Sequence, residues 1–122
     1  MKKILIAEDN VNNFKLFCSI LSNMNIEIIH AINGEEAVKL CHENSDISLI
    51  LMDINMPKMN GEDAALAIKL KNPDIPIISQ TAYSITGMVN ESSRWCFSEF
   101  ITKPINVPHL KSLIRKYCFG EK

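Results

Sequence analysis

Short apolar runs alternate with helix-periodic segments along the whole chain. Residues 4–7, Ile-Leu-Ile-Ala, run unbroken into Glu8-Asp9, as a central strand buried on both faces would. From Val11 to Met24, Phe14, Phe17, Leu21 and Met24 recur at helical spacing with Ile20 beside them, which predicts an amphipathic helix. Residues 26–30 are β-branched and partly alternating, and predict a second strand nearer an edge. Asn33-Gly34 reads as a turn, after which Glu35 and Glu36 open a helix to about Glu43, acids suiting its positive end. Residues 48–53 form a third strand, in which Leu49-Ile50-Leu51-Met52 ends on Asp53. Asn60 is a natural N-cap for a helix through Ala64–Leu70. Residues 75–80 give a fourth strand with Pro76 at its start, where proline is tolerated. Ser84 to Trp95 is a poor helix, carrying Thr86, Gly87, Asn90, Ser92 and Ser93, all weak formers in a helix interior. Phe97 to Thr102 makes a fifth strand. Asn106 caps a last helix with Leu110, Leu113, Ile114, Tyr117 and Cys118 on one face, and Gly120 stops it.

This β-α unit repeated five times predicts an α/β fold, a parallel sheet covered by helices on both faces. The 122 residues suit one domain, 1–122, with a core of its own. Hydrophobic residues at 47%, charged residues at 22% and a net charge of -1 describe a globular chain with no bulk attraction to nucleic acid or to an anionic membrane. Cys18, Cys41, Cys96 and Cys118 form no C-x-x-C pair; the reading is four reduced, mostly buried thiols in a cytoplasmic protein. Glu8 and Asp9 end the first apolar run too early for a signal peptide, and no segment is long enough to span a bilayer.

The polar residues at the strand ends carry the chemistry. Glu8 and Asp9 follow the first strand, Asp53 the third, Thr81 the fourth and Lys103-Pro104 the fifth. In a doubly wound parallel sheet these ends share one edge, where ligands bind. Three crowded carboxylates repel unless a cation sits among them, and an all-oxygen site suits Mg²⁺ or Mn²⁺. Such an ion beside a carboxylate nucleophile, an ammonium and a hydroxyl is equipped for phosphoryl transfer, and an Asp can be a covalent phosphoryl acceptor. Each piece alone is commonplace: a Glu-Asp pair is usually a solvated loop and a lone Thr usually a cap. Their joint placement is what points to a site. His30, His42 and His109 follow no metal or kinase motif and receive no role. Trp95 fits a core or a partner surface equally.

The pieces "ILIAEDN" at 4–10, "LILMDINMPKMNG" at 49–61, "IISQTAY" at 77–83 and "FITKPI" at 100–105 resemble, in order and spacing, the response-regulator receiver domain of two-component signalling. The resemblance implies the flavodoxin-like (βα)5 fold with strand order 2-1-3-4-5. It implies Asp53 as phosphoacceptor, and Glu8, Asp9, Asp53 and the backbone carbonyl of Asn55 around Mg²⁺. It further implies that Lys103 contacts the phosphoryl group, that Thr81 reorients toward it, and that Phe100 is the aromatic that rotates as Thr81 moves. Pro104 matches a proline that commonly follows this lysine. The implied function is a Mg²⁺-dependent switch that accepts a phosphoryl group from a histidine kinase or histidine phosphotransfer domain, catalysing only its own phosphorylation and dephosphorylation, with a phosphorylation-dependent dimer as an allowed assembly. The "AEDN" and "QTAY…ITKPI" style leans toward the receiver of a hybrid histidine kinase over a stand-alone regulator.

Two departures stand out. Where the family commonly has a Gly before the last strand, this chain has Cys96, which tolerates positive φ poorly, so the preceding helix must end differently or carry strain. That helix is expected to be mobile or irregular before phosphorylation. Tyr83 and Asn55, each two residues past Thr81 and Asp53, flank the water approach; bulky Tyr83 predicts a phosphoryl group that lasts minutes or more. Two other classes compete. A small aspartate-nucleophile phosphatase or phosphotransferase would want an acid where Asn55 stands. A flavodoxin-like cofactor binder would want a Gly/Ser/Thr-rich loop in place of the acidic "AEDNVNN".

Overall fold

The computed structural model describes residues 1–54, 56, 58–81, 94–102 and 104–120, with Thr81 by its backbone alone. Its elements are β1 (Lys2–Ala7), α1 (Val11–Leu21), β2 (Ile26–Ala31), α2 (Gly34–Glu43), β3 (Ile47–Asp53), α3 (Gly61–Lys71), β4 (Ile77–Thr81), β5 (Glu99–Thr102) and α4 (Val107–Phe119). The five strands form one sheet in the order β2-β1-β3-β4-β5, every neighbouring pair parallel. This is the flavodoxin-like doubly wound fold.

The unbroken apolar run of β3 is explained by its two neighbours. Leu49 and Leu51 face a core shared with Ile4, Ile6 and Ile78 and with Phe17, Leu21, Leu110 and Ile114 of α1 and α4. Ile50 and Met52 face the other core, with Leu5, Ala7, Ile77 and with Ala37, Cys41, Ala64 and Ile68 of α2 and α3. Side chains alternate across the sheet while both faces are dry, so hydrophobicity is continuous where periodicity is two. Strand order reverses between β1 and β3, one crossover leaving to each side. Their C-terminal ends therefore open onto a cleft that no crossover covers.

Each of these four helices starts on an asparagine. The side chains of Asn10, Asn33, Asn60 and Asn106 accept from the backbone N–H groups of Asn13, Glu36, Asp63 and His109, satisfying donors that the helix itself leaves open. The Asn60 and Asn106 caps and the Gly120 stop (φ 70°, left-handed) are as the sequence predicts. Other boundaries shift. The first helix ends at Leu21, short of Met24. β4 begins at Ile77, because Pro76 contributes only a carbonyl to the ladder, accepting from Ile50 N–H at 3.0 Å. β5 begins at Glu99, Phe97 and Ser98 belonging to the turn before it. Asn33-Gly34 is a helix start rather than a separate turn: Asn33 is the cap and Gly34 the first helical residue.

The Cys96 question has an answer. The positive-φ residues among those described are Asn25, Lys58 and Gly120, and Cys96 is fully buried in the core shared with α2 and α3. A turn closed by Phe97 N–H onto the Arg94 carbonyl at 3.1 Å does the work of the missing glycine without a left-handed residue. The weak helix expected over 84–95 lies outside the described residues up to 93. Trp95 is 59% exposed, which resolves its reading in favour of the surface.

Candidate functional site

Glu8 follows the last residue of β1, and Asp53 is the last residue of β3. With Asp9 they form an acidic cluster: one carboxylate oxygen from each, all within 4.8 Å of one another. Two oxygens on opposite sides of a Mg²⁺ at about 2.1 Å stand about 4.2 Å apart, so these donors lie within a small side-chain movement of a single octahedral site. The donor set is hard and anionic, which suits Mg²⁺ or Mn²⁺ over softer metals. Charges about 5 Å apart repel by roughly 3 kcal/mol at an effective dielectric of about 20, which favours a divalent cation among them.

Asp53 is only 5% exposed and Glu8 is fully buried, while Asp9 is exposed. The loop that follows β3 is tied to the strand end. Gly61 N–H donates to the Ile54 carbonyl at 2.9 Å, and Gly34 N–H to the Met59 carbonyl at 3.1 Å. These contacts fold the loop back against the end of β3 and against α2. A Cβ on Gly61 would stand 2.2 Å from the Asp53 carbonyl oxygen, and one on Gly34 would stand 2.1 Å from that of Met59. Both positions therefore require glycine. Lys58, between them, adopts φ 67°, a conformation that costs a non-glycine residue about 1–2 kcal/mol. Sequence reading placed Gly61 in the motif without a role; a glycine at a helix's first residue, where a good helix former is wanted, is the signal that was available.

β1 ends under tight control as well. Glu8 N–H donates to the Ala31 carbonyl at 2.9 Å, and Glu8 Oε2 accepts from Asn10 N–H at 3.2 Å. His30, given no role from the sequence, lies 2.8 Å through Nε2 from the Glu8 backbone oxygen.

Of the other expected residues, Thr81 falls on the same edge. Thr81 ends β4, and its backbone pairs in register with Thr102 of β5, one residue before the position of Lys103. Lys103, Asn55 and Tyr83 lie outside the described residues. Phe100 is half-buried, packed on the α2–α3 core and tilted against Phe97, ring centroids 5.5 Å apart. Its other side borders an open groove of about 230 Å³ shared with Thr102, Pro104 and His109. The edge thus brings together the two strands that carry the acids and, beside them, the two that carry Thr81 and Phe100.

The family model of the response regulator receiver domain matches residues 4–115. The chain belongs to that family. Receivers similar to it occur both alone and inside larger proteins. It is 34% identical over 118 residues to the polar-differentiation response regulator DivK of Brucella anthropi, covering 95% of each chain. It is 35% identical over 121 residues to hybrid signal transduction histidine kinase I of Dictyostelium discoideum, where the match takes 93% of this receiver but 7% of the kinase. Among solved structures, response regulator TrrA of Thermotoga maritima, in complex with Mg²⁺ and BeF, superposes with TM-score 0.87 at 35% identity over 96% of this receiver and 99% of that chain. The receiver domain of Ssk1, in a structure with the Saccharomyces cerevisiae histidine phosphotransfer protein Ypd1, gives TM-score 0.83 at 27% identity, covering 97% and 89%. The chain is a receiver domain of two-component signalling.

Proposed function

We propose that this receiver is a phosphorylation-driven switch that takes a phosphoryl group from a phosphohistidine onto Asp53. The observation that carries the reading is the cluster of Glu8, Asp9 and Asp53, delivered by the ends of β1 and β3 to one cleft. Glu8, Asp9 and Asp53, with the Asn55 carbonyl, would hold Mg²⁺. When bound, the ion supplies positive charge that neutralises the carboxylates and the phosphoryl oxygens.

The chain's own residues do the rest. An Asp53 carboxylate oxygen attacks the phosphorus; the new O–P bond forms as the N–P bond of the donor histidine breaks, and the imidazole leaves with its electron pair and takes up a proton. Burial of Asp53 in a rigid strand end holds the nucleophile at one height and limits water. Lys103 supplies a fixed charge to the phosphoryl oxygens, and Thr81 donates a hydroxyl to one of them. Phe100, poised between a packed core and an open groove, follows Thr81 and alters the surface around β5. The donor is a histidine kinase or a histidine phosphotransfer domain, a reading supported by the phosphotransfer partner of the similar yeast receiver. The four free thiols suit a reducing, cytoplasmic setting, and among the described residues no helix is long and apolar enough to cross a membrane. Both a stand-alone regulator and a hybrid kinase provide a matching relative; the flanking reading frame distinguishes them.

The test is exposure to Mg²⁺ and a small phosphodonor, followed by intact mass, with Trp95 fluorescence during addition of beryllium fluoride. The wild type should gain one phosphoryl mass and Asp53→Asn none. No adduct on either protein would overturn the reading.

A further inference from the structure

His30 sits in β2, paired with Ile6 of β1. The β1–β2 ladder runs out at Ala7 and Ala31, and the β1–β3 ladder at Ala7 and Met52. The Glu8 carbonyl therefore lies beyond both ladders. The His30 ring takes over at that point, with Nε2 2.8 Å from the Glu8 oxygen. A carbonyl carries no proton, so Nε2 is the donor and, in the neutral ring, Nδ1 is bare. The ring's orientation is set from its flat face: it stacks on Phe14, centroids 3.5 Å apart and planes 7° from parallel. Phe14 lies in α1, and its N–H donates to the Asn10 carbonyl at 3.0 Å. Asn10 in turn caps α1 and donates its own N–H to Glu8 Oε2. Backbone N–H, carbonyl and carboxylate of Glu8 are thus all held, and Asp9 stands between two restrained neighbours.

We propose that His30, oriented by Phe14, is a positioning residue for the acidic end of β1. Its bond to the Glu8 carbonyl fixes the direction in which the chain leaves the sheet, and with it the placement of the Glu8 and Asp9 carboxylates against Asp53. Order that the imidazole imposes on the strand exit in advance does not have to be gained when the ion binds. The inference rests on Glu8, Asp9 and Asp53 being a divalent-cation site. Groups that hold a metal ligand from behind typically change affinity by about 10- to 100-fold when removed.

The experiment is calorimetric titration with Mg²⁺ of wild type, His30→Phe and His30→Gln, each paired with urea unfolding in the absence of metal. His30→Phe keeps an aromatic face for Phe14 and removes the donor; its Mg²⁺ affinity should fall about tenfold. His30→Gln returns an N–H donor and should recover part of the loss. On the wild type, the ¹⁵N imidazole spectrum should show His30 as the Nε2–H tautomer when neutral, and that resonance should move as Mg²⁺ is added. The spectrum needs no variant, so the inference stays testable even if His30→Phe does not fold. Wild-type Mg²⁺ affinity in His30→Phe, with or without a lowered urea midpoint, would overturn it, as would a His30 resonance that saturating Mg²⁺ leaves in place. A wild type that binds no Mg²⁺ would overturn instead the metal reading beneath it.

Discussion

Gly61 packs against the backbone of Asp53, the proposed phosphoacceptor. An added methyl would stand 2.2 Å from the Asp53 carbonyl oxygen and 2.9 Å from Ile54 Cα; both are backbone atoms that cannot swing away. Gly61→Ala should therefore cost about 1–3 kcal/mol, read as a lower urea midpoint, and should slow phosphoryl uptake because the displaced carbonyl belongs to Asp53. Gly120→Ala is the matched control. It has open space around it but φ 70°, so it should cost about 1 kcal/mol and leave uptake unchanged. If Gly61→Ala took up phosphate at the wild-type rate, the loop would not be what holds Asp53.

At the scale of elements, β5 is an edge strand of four residues and depends on α4 for anchorage. Tyr117 donates its hydroxyl to Glu99 at 2.6 Å, and Lys116 reaches the same carboxylate at 3.4 Å. Tyr117→Phe should cost about 1 kcal/mol, since Lys116 still serves Glu99. Desolvation, then the Glu99 hydrogen bond and charge, push the Tyr117 phenol from 10.0 up to about 12. A pKa raised on folding stabilises fully below the unfolded value and is lost above it. The contribution of Tyr117 should thus be intact below pH 10 and fade as the pH climbs toward 12. Ultraviolet titration of wild type against Tyr117→Phe isolates that phenol; a midpoint near its ordinary value would show the bond to be absent in solution.

For the whole molecule, the acidic cleft sets function against stability. The acids at the ends of β1 and β3 gather where strand order reverses, and on the proposed function a divalent cation among them would lower their mutual repulsion. Saturating Mg²⁺ should raise the melting temperature by several degrees, since binding at 100 times Kd contributes about 2.7 kcal/mol. Asp53→Asn removes one anionic donor and should shrink that gain, measured as the difference between melts in Mg²⁺ and in chelator. An equal gain in both proteins would place the ion elsewhere.

What the sequence determined by itself was what depends on local chemistry. Apolar runs of four or five residues gave the strands, i/i+3/i+4 spacing gave the helices, and Asn60, Asn106 and Gly120 gave helix ends, because propensity and capping act within a few residues. The acids at the strand ends were legible for the same reason, since a charge after a buried run is a local anomaly. The strand order came from resemblance to a family, as no local interaction encodes which strand lies beside which. Tertiary structure decided what depends on residues far apart in the chain. It placed Asp53 and Glu8 out of solvent, and it set Gly34 and Gly61 against the backbone of Met59 and of Asp53. It made Cys96 a core residue in a turn that needs no left-handed φ. It brought His30, Phe14 and Glu8 from three elements into one contact, and no spacing along the chain announces such a meeting, because it exists only once β2 lies against β1.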